Sequence, residues 1–312
     1  MKFSTRNMMK TVSLMSFMTL SVFTFSQEGE NLVSNPSFES IDKKVKRLGS
    51  IASATGWSSP TGARADLFVS SKIEEINVPM NAFGKEDAKD GVNYAGIVSY
   101  SYGNKMPRTY VLNKLDAPLK KGMQYCVKLN ISLSEASKYA SNNVGVKLSK
   151  KPFSTDGKVS IIEEPSVMHF NNDQKIITAR YNWTEICGVF EAKGGEKYIT
   201  IGNFLSDEET KMERMKKDKN VKVTQVIAAY YYIDDISVVL IDANKGEKCD
   251  CAAEDAGDSY STTIYQKVFN VTEEMTSKEK VEVQQVYFAF GRNKMNTEGQ
   301  QSLDLIAAEM KA

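Results

Sequence analysis

Hydrophobic and polar residues alternate along much of the chain between residues 30 and 243, as they do in strands that bury one face. The clearest run places a large apolar side chain at every second position from Met123 to Leu133. Clusters of Gly, Pro, Asn and Asp separate such runs, and helical periodicity is missing. We therefore predict a β-sandwich, with strands at residues 95–100, 109–112, 123–133, 144–148, 183–192, 197–204 and 229–241.

One segment of mixed charge, residues 207–219, interrupts this pattern. Acidic and basic side chains lie close together there, so their fields largely cancel. We interpret it as a solvated loop insertion rather than a binding patch.

The N-terminus has the features of a secretory signal. Lys2, Arg6 and Lys10 precede an apolar stretch, and Thr24 and Ser26 place small side chains where a signal peptidase reads them. The stretch is shorter than the roughly 20 residues of a membrane-spanning helix. We therefore predict a signal peptide at 1–26 rather than a membrane anchor, and export from the cytoplasm.

Charge and composition narrow the function further. The chain has 40 Lys and Arg against 39 Asp and Glu, and such a balance gives no argument for a nucleic-acid partner. The single histidine, His169, excludes any multi-histidine metal centre, and we interpret it as a lone surface residue. Motifs for a nucleophile elbow, a phosphate loop or a dinucleotide site are missing from the sequence. We predict a non-catalytic protein, with a glycan-active hydrolase as a weaker alternative.

Four cysteines can oxidise if the chain is exported. Cys126 and Cys187 lie on the polar faces of two predicted strands. Two interpretations are compatible with the sequence, a cross-strand disulfide between them and a pair of free thiols, because disulfide connectivity cannot be read from sequence. Cys249 and Cys251 are too close for a relaxed bridge to each other, and we assign them no chemistry.

The closing strand of the predicted sandwich carries two adjacent carboxylates, Asp234 and Asp235. Strict alternation puts Asp235 on one face and Asp234 on the other, with Tyr230, Tyr232, Ile236 and Val238. Either way a carboxylate lies on a mainly apolar face. It therefore needs a cation, an arginine or several backbone N–H donors.

Three motifs carry a resemblance: the opening segment 31–39, Gly-Gly-Glu-Lys-Tyr-Ile-Thr-Ile-Gly-Asn-Phe at 194–204, and the closing Tyr-Ile-Asp-Asp-Ile-Ser-Val. Together they resemble the galactose-binding-like jelly roll of many carbohydrate-binding modules, in the version found in secreted Bacteroidota proteins. The resemblance implies a jelly-roll domain over 27–243. It also implies a structural calcium that joins Glu39 to Asp234 or Asp235, since Ca²⁺ takes oxygen ligands. An ordinary hydrogen-bonded aspartate is the alternative.

A sugar site in such a fold needs exposed aromatic faces and a few planar polar groups. Most aromatic side chains of a sandwich belong to its core, so the sequence leaves the ligand-binding residues unidentified. The candidates are Trp57, Tyr94, Tyr100, Tyr102 and Tyr110.

The last part of the chain reads as a separate unit. Residues 244–280 are predicted to be a linker, and 286–290 a strand that is apolar on both faces. Thr297 and Gln300 form a capping box before an amphipathic helix that carries Leu303, Ile306, Ala307 and Met310. One strand and one helix bury too little surface to fold alone. We therefore predict that residues 281–312 are an incomplete module.

That tail resembles the start of the OmpA-like C-terminal domain, in its Val-Tyr-Phe-Ala-Phe strand and its helix pattern, with Met295 where the family has leucine. The family binds peptidoglycan non-covalently through later segments, so no binding residue can be carried over. The resemblances imply a Bacteroidota envelope protein that is tethered to peptidoglycan, in the periplasm or at the outer membrane. The alternative is a secreted carbohydrate-binding module protein that captures extracellular glycan.

Overall fold

The computed structural model describes residues 29–168, 175–217 and 221–241, and residues 248, 249, 251, 276, 303, 306, 307 and 310. The predicted signal, His169, most of the predicted linker and nearly all of the tail predicted to be OmpA-like lie outside this part. Of the predicted terminal helix, Leu303, Ile306 and Ala307 are described as helical, and the Met310 amide donates to the Ile306 carbonyl at 3.0 Å. Within the described residues, no helix combines the length and the apolar character needed to cross a membrane.

The described chain is mainly β, with short 3₁₀ turns at Ile51–Ser53, Glu74–Ile76 and Tyr102–Asn104. Its strands are β1 (Trp57–Ser58), β2 (Asp66–Phe68), β3 (Met80–Asn81), β4 (Gly84–Lys85), β5 (Tyr94–Ser101), β6 (Val111–Lys114), β7 (Gln124–Leu133), β8 (Tyr139–Ser141), β9 (Val144–Ser149), β10 (Val167–Met168), β11 (Thr184–Glu191), β12 (Tyr198–Asn203), β13 (Met212–Arg214) and β14 (Ala228–Leu240).

Ten of these strands form two antiparallel sheets. Sheet A has the order β11-β7-β14-β5-β2, and sheet B has the order β1-β6-β12-β9-β10. Successive long strands mostly alternate between the sheets, as in a jelly roll. The predicted β-sandwich is confirmed, and all seven strands expected from the sequence are present.

The main core lies between the two sheets. The predicted inward face of β7 is confirmed, because Val127, Leu129 and Ile131 are fully buried in one cluster with residues of sheet B such as Ile199 and Ile201. Burying each such side chain stabilises the fold by about 1.5–3 kcal/mol before entropy is counted. This core fixes the strand ends from which the functional loops leave.

The opposite face of sheet A is also buried, beneath an aromatic layer. We define the aromatic cover as Phe68, Phe83, Tyr94, Tyr230 and Tyr232. The Phe83 ring, which comes from the β3–β4 hairpin, stacks on the Tyr230 ring at a centroid distance of 3.8 Å. The Tyr232 hydroxyl donates to Asn81 at 2.9 Å, and the Tyr94 hydroxyl donates to the Glu86 carbonyl at 2.9 Å. The cover explains why β14 is apolar on both faces.

The strict alternation predicted for the closing strand is wrong beyond Asp234. The pairing of β14 with β7 shifts between Asp234 and Ser237, and Asp235 has a φ of +51°. This bulge adds one residue and reverses which face the following side chains take. Ile236 and Val238 therefore lie in the main core instead of beside Tyr230 and Tyr232 in the cover.

The disulfide expectation also needs correction. Cys126 is bonded to Cys249, and Cys187 to Cys251, so neither a Cys126–Cys187 bridge nor free thiols are present at these four positions. Cys126 faces Val189 in the β7–β11 ladder, which leaves the two strand cysteines on one face but offset diagonally. The chain that returns after β14 supplies both partners, and the two bridges fasten it to β7 and β11.

Candidate functional site

The two ends of the sandwich meet, as the resemblance implied. The Leu32 amide donates to the Val238 carbonyl at 2.9 Å. The Asn31 Oδ1 atom accepts from the amides of Val33 and Val238, each at 3.0 Å. The opening motif is thus hydrogen-bonded along the closing strand.

Glu39 and Asp234 both hold the loop at residues 89–93. Glu39 Oε1 accepts from the amides of Val92 and Asn93, each at 2.7 Å. Asp234 Oδ2 accepts from the amides of Lys89 and Asp90 at 2.8 and 3.0 Å, and Oδ1 accepts from the Asp235 amide at 2.8 Å. Two carboxylates from opposite ends of the domain therefore bind one loop.

This arrangement bears on the expected calcium. Asp234 is fully buried, and desolvation raises its pKa to about 7 although three backbone amides favour the charged form. Asp235 Oδ2 accepts from the Asn130 side chain at 3.1 Å. Three backbone amides donate to the two oxygens of Asp234 and two donate to Glu39 Oε1, so hydrogen bonds already supply the partners that these carboxylates need, as in the alternative without a cation. Calcium stays a prediction from the resemblance, and a melting temperature unchanged by EDTA would remove it.

The five candidate aromatic residues divide sharply by burial. Trp57, Tyr94, Tyr100 and Tyr110 are buried and belong to the interior of the domain. Tyr102 differs, since 52% of its surface is exposed. It is therefore the one of the five that can offer a ring face to a ligand.

A cleft of about 450 Å³ opens beside the turn that carries Tyr102. Three connecting segments form its walls, one after β5, one between β9 and β10, and one after β12. We name it the end cleft, and it is lined by Asn104, Pro107, Arg108, Lys158, Ser160, Ile162, Ser206, Asp207 and Glu208.

A small apolar cluster of Tyr110, Ile161 and Phe204 holds these walls together. The Tyr110 hydroxyl donates to the Asn203 carbonyl and accepts from the Ile161 amide, each at 2.9 Å. The ring lies so close to Gly202 that a Cβ atom there would be 2.2 Å from Tyr110 Cδ1. A glycine is required at that position, and two of the walls are joined through one buried tyrosine.

Arg108 supplies the main charge of the end cleft. Its side chain is only 2% exposed. It donates to the carbonyls of Asn203, at 3.2 Å, and Leu205, and to Asp207 Oδ1 at 2.5 Å. The Nε atom is buried and has no hydrogen-bond partner. Because Asp207 is 32% exposed, the pair presents a fixed carboxylate to the cleft.

The exposed Tyr102 ring is held from behind. It stacks on Tyr139 with a centroid distance of 5.6 Å and an interplanar angle of 13°. Tyr139 in turn packs edge-on against Tyr100 at 6.2 Å. Burial raises the pKa of Tyr100, and the Asp207 charge adds to that rise.

The prediction of a solvated loop at 207–219 is wrong in part. Asp207 lines the end cleft, and β13 pairs with β8, placing Arg214 opposite Tyr139. The charged segment therefore supports the tyrosine stack. The sequence pointed to Tyr102, in the turn beside the cleft, but it gave no signal for the lining residue Arg108, whose acceptors come from a segment about a hundred positions away.

Comparisons with known proteins give structural likenesses only. No protein-family model and no curated protein matches the sequence. The CBM22-1 xylan-binding domain of Paenibacillus barcinonensis Xyn10C matches at 12% identity and a TM-score of 0.34, over 68% of this chain and 96% of that one. TmCBM61 bound to β-1,4-galactotriose matches at 13% identity and a TM-score of 0.31, over 68% and 99%.

Other matches are to parts of larger or different proteins. The CBM22-1 and GH10 modules of a Clostridium thermocellum xylanase match at 10% identity and a TM-score of 0.34; the match covers 69% of this chain but only 28% of that one. The K2 adhesin domain of Lys-gingipain matches at 13% identity and a TM-score of 0.32, over 65% and 96%. All these TM-scores are low, and the likenesses decide nothing about ligand or activity.

Proposed function

We propose that this protein is a non-catalytic glycan-binding protein that holds a sugar chain in the end cleft. The proposal is carried by the exposed ring of Tyr102, which is stacked on Tyr139. Its turn ends at Asn104, which lines the cleft together with the Arg108–Asp207 pair. An aromatic face next to planar polar groups is the combination that a sugar ring requires.

The chemistry follows from the geometry. A pyranose ring has an apolar C–H face that can pack on Tyr102, and hydroxyls at its edge that can bond to Asp207. The charge-assisted bond from Arg108 keeps the Asp207 carboxylate in place before a ligand arrives. Such preorganisation lowers the entropy lost on binding. The site is thus suited to binding a glycan, since a ring face and a fixed hydrogen-bond acceptor are sufficient for a neutral sugar.

A glycan panel tests the proposal. The chain is titrated with soluble xylan, β-1,4-galactan, β-glucan and mannan by calorimetry, and Tyr102→Ala is compared with Tyr181→Ala. Tyr181 is a suitable control because it is similarly exposed, at 51%, but lies just before β11 and not in the turn that leads into the end cleft. We expect at least one glycan to bind and Tyr102→Ala to weaken it about tenfold, which is roughly 1.4 kcal/mol. Equal affinities for the two variants would contradict the proposal.

The hydrolase alternative has its own readout. If the end cleft only binds, prolonged incubation with each panel glycan releases no reducing sugar. Release that disappears in Asp207→Asn would instead favour catalysis.

The tether to peptidoglycan is the second half of the proposal, and it rests on the tail sequence alone. The full gene product should sediment with insoluble peptidoglycan, and free glycan from the panel should not displace it. Failure to sediment would remove the tether while leaving the end cleft untouched, and the protein would then be a secreted glycan-capturing one.

A further inference from the structure

A second surface lies apart from the end cleft and has a different chemistry. A groove of about 790 Å³ runs between the segments at residues 41–45 and 69–73, and Val92 and Asn93 close one side. None of its lining residues lines the end cleft. We name it the basic groove, and it is lined by Ile41, Lys44, Val45, Val69, Ser70, Ser71, Lys72, Ile73, Val92 and Asn93.

The charged side chains of the basic groove are both lysines. Lys44 comes from one wall and Lys72 from the other, and each is exposed. Glu74 and Glu75 follow Lys72 in the sequence but do not line the groove. The groove itself therefore carries positive charge on two sides.

The wall that carries Lys44 adds more positive charge. Residues 43–47 read Lys-Lys-Val-Lys-Arg, and the four cations are exposed while Val45 is 4% exposed and belongs to the main core. Val45 anchors the segment and turns its cations to the surface. Within the described residues, the cations that pair with carboxylates are Arg108, Lys128 and Lys147. Lys44, Lys72 and their basic neighbours thus have no ion pair there.

The floor and rim of the groove are apolar. Ile41 is 36% exposed and Val92 is 48% exposed, and Val69 and Ile73 pack on the main core between them. Ser70 and Ser71 add hydroxyl groups at the same wall as Lys72. A ligand that fits must therefore combine an apolar face, hydroxyl groups and repeated negative charge.

We propose that the basic groove binds an acidic polysaccharide made of uronic-acid units. The C–H faces of the sugar rings pack on the valine and isoleucine side chains, and the hydroxyls bond to the serines. The carboxylates lie between Lys44 and Lys72, where charge-assisted hydrogen bonds are the strongest contacts available. A neutral glycan would leave both ammonium groups without a partner.

The test uses one polymer in two charge states. The chain is titrated with polygalacturonate and with the same polymer fully methyl-esterified, which keeps the sugar backbone and removes the charge. We expect polygalacturonate to bind, the ester to bind at least about tenfold more weakly, and the affinity to fall as salt rises from 50 to about 300 mM. Equal binding of the two polymers would overturn the proposal.

Matched variants separate the groove from general charge. Lys44→Gln with Lys72→Gln should weaken polygalacturonate about tenfold. Lys120→Gln with Lys121→Gln removes the same charge from exposed positions outside the groove and should change the affinity less than twofold. Tyr102→Ala should not alter it, so failure of the end cleft and failure of the groove are distinguishable. Equal losses in the two lysine pairs would overturn the proposal, because the polymer would then bind by net charge alone.

Discussion

The aromatic cover and the end cleft are built from similar residues but differ in how those residues meet solvent. In the cover, Tyr94, Tyr230 and Tyr232 are at most 1% exposed, and each hydroxyl has a hydrogen-bond partner. Beside the end cleft, Tyr102 packs on Tyr139 but is 52% exposed. The difference shows that aromatic content alone does not identify a binding site in this fold.

The buried charged side chains of the aromatic cover and the end cleft differ as well. Under the cover, Asp66 accepts from the Tyr230 hydroxyl at 2.5 Å and Glu86 accepts from Ser132 at 2.6 Å, and no arginine or lysine pairs with either within the described residues. In the end cleft, Arg108 is paired with a carboxylate that reaches solvent. The cover is thus arranged for stability, and the ion pair of the cleft fits the ligand contact that we propose for it.

The largest expected effect separates the two regions by stability. Phe68→Ala removes a fully buried ring from the cover and should lower the free energy of unfolding by about 3–5 kcal/mol. Tyr102→Ala removes a half-exposed ring and should lower it by less than about 1 kcal/mol. Urea unfolding of the two variants measures both values, and a Tyr102 loss as large as the Phe68 loss would contradict the division of roles.

The next effect concerns the bridges that fasten the returning chain to sheet A. Replacing Cys126 and Cys249 by alanine should cost about 2–4 kcal/mol, because the bridge closes a loop with a sequence separation of 123. Replacing Cys187 and Cys251 should cost less, since their separation is 64. Neither change should alter glycan affinity. A loss of affinity would mean that the end cleft depends on this distant staple.

A smaller effect is the pH dependence of the cover. Burial raises the pKa of Asp66 to about 6, and burial also raises the pKa of Glu86 to about 7. When the folded-state pKa of a carboxyl group lies above its unfolded-state pKa, the group stabilises the fold at pH values below the unfolded-state pKa of about 4. This contribution is lost as the pH rises through the folded-state pKa values of 6–7. Stability should therefore fall by about 2 kcal/mol between pH 5 and pH 6.

The matched variant for this dependence is Glu86→Gln, which removes the titration but keeps an oxygen for Ser132. Urea midpoints across that pH range should vary less in Glu86→Gln than in the parent chain. An unchanged or reversed slope would show that the buried carboxylates do not control it. The glycan affinity of the end cleft should not follow the pH dependence of stability in either protein.

The sequence identified the sandwich because alternation is a local signal that the core enforces. Each of the seven expected strands formed, and the inward face of β7 was assigned correctly. The bulge at Asp235 could not be anticipated from the sequence. A bulge places an extra residue of one strand opposite its partner, so it is a property of the pair β14 and β7 and not of either strand alone. The cystine pairing likewise depends on the path by which Cys249 and Cys251 return.

The end cleft was harder to predict for a related reason. Tyr102 stood among five aromatic candidates, and it differs from the buried four in its 52% exposure, which is a property of the folded chain. Arg108 is held by carbonyls that the fold brings from residues 203 and 205. Burial of a charge by distant backbone leaves no local pattern in the sequence.

Selective acetylation of tyrosine hydroxyls, followed by mass spectrometry, tests the central claim most directly. In the free protein, Tyr102 should react readily and Tyr94, Tyr230 and Tyr232 should not, because they are buried and hydrogen-bonded. A saturating panel glycan should protect Tyr102 while leaving the reactivity of Tyr181 unchanged. Reaction of Tyr102 at the same rate with and without bound glycan would contradict the account.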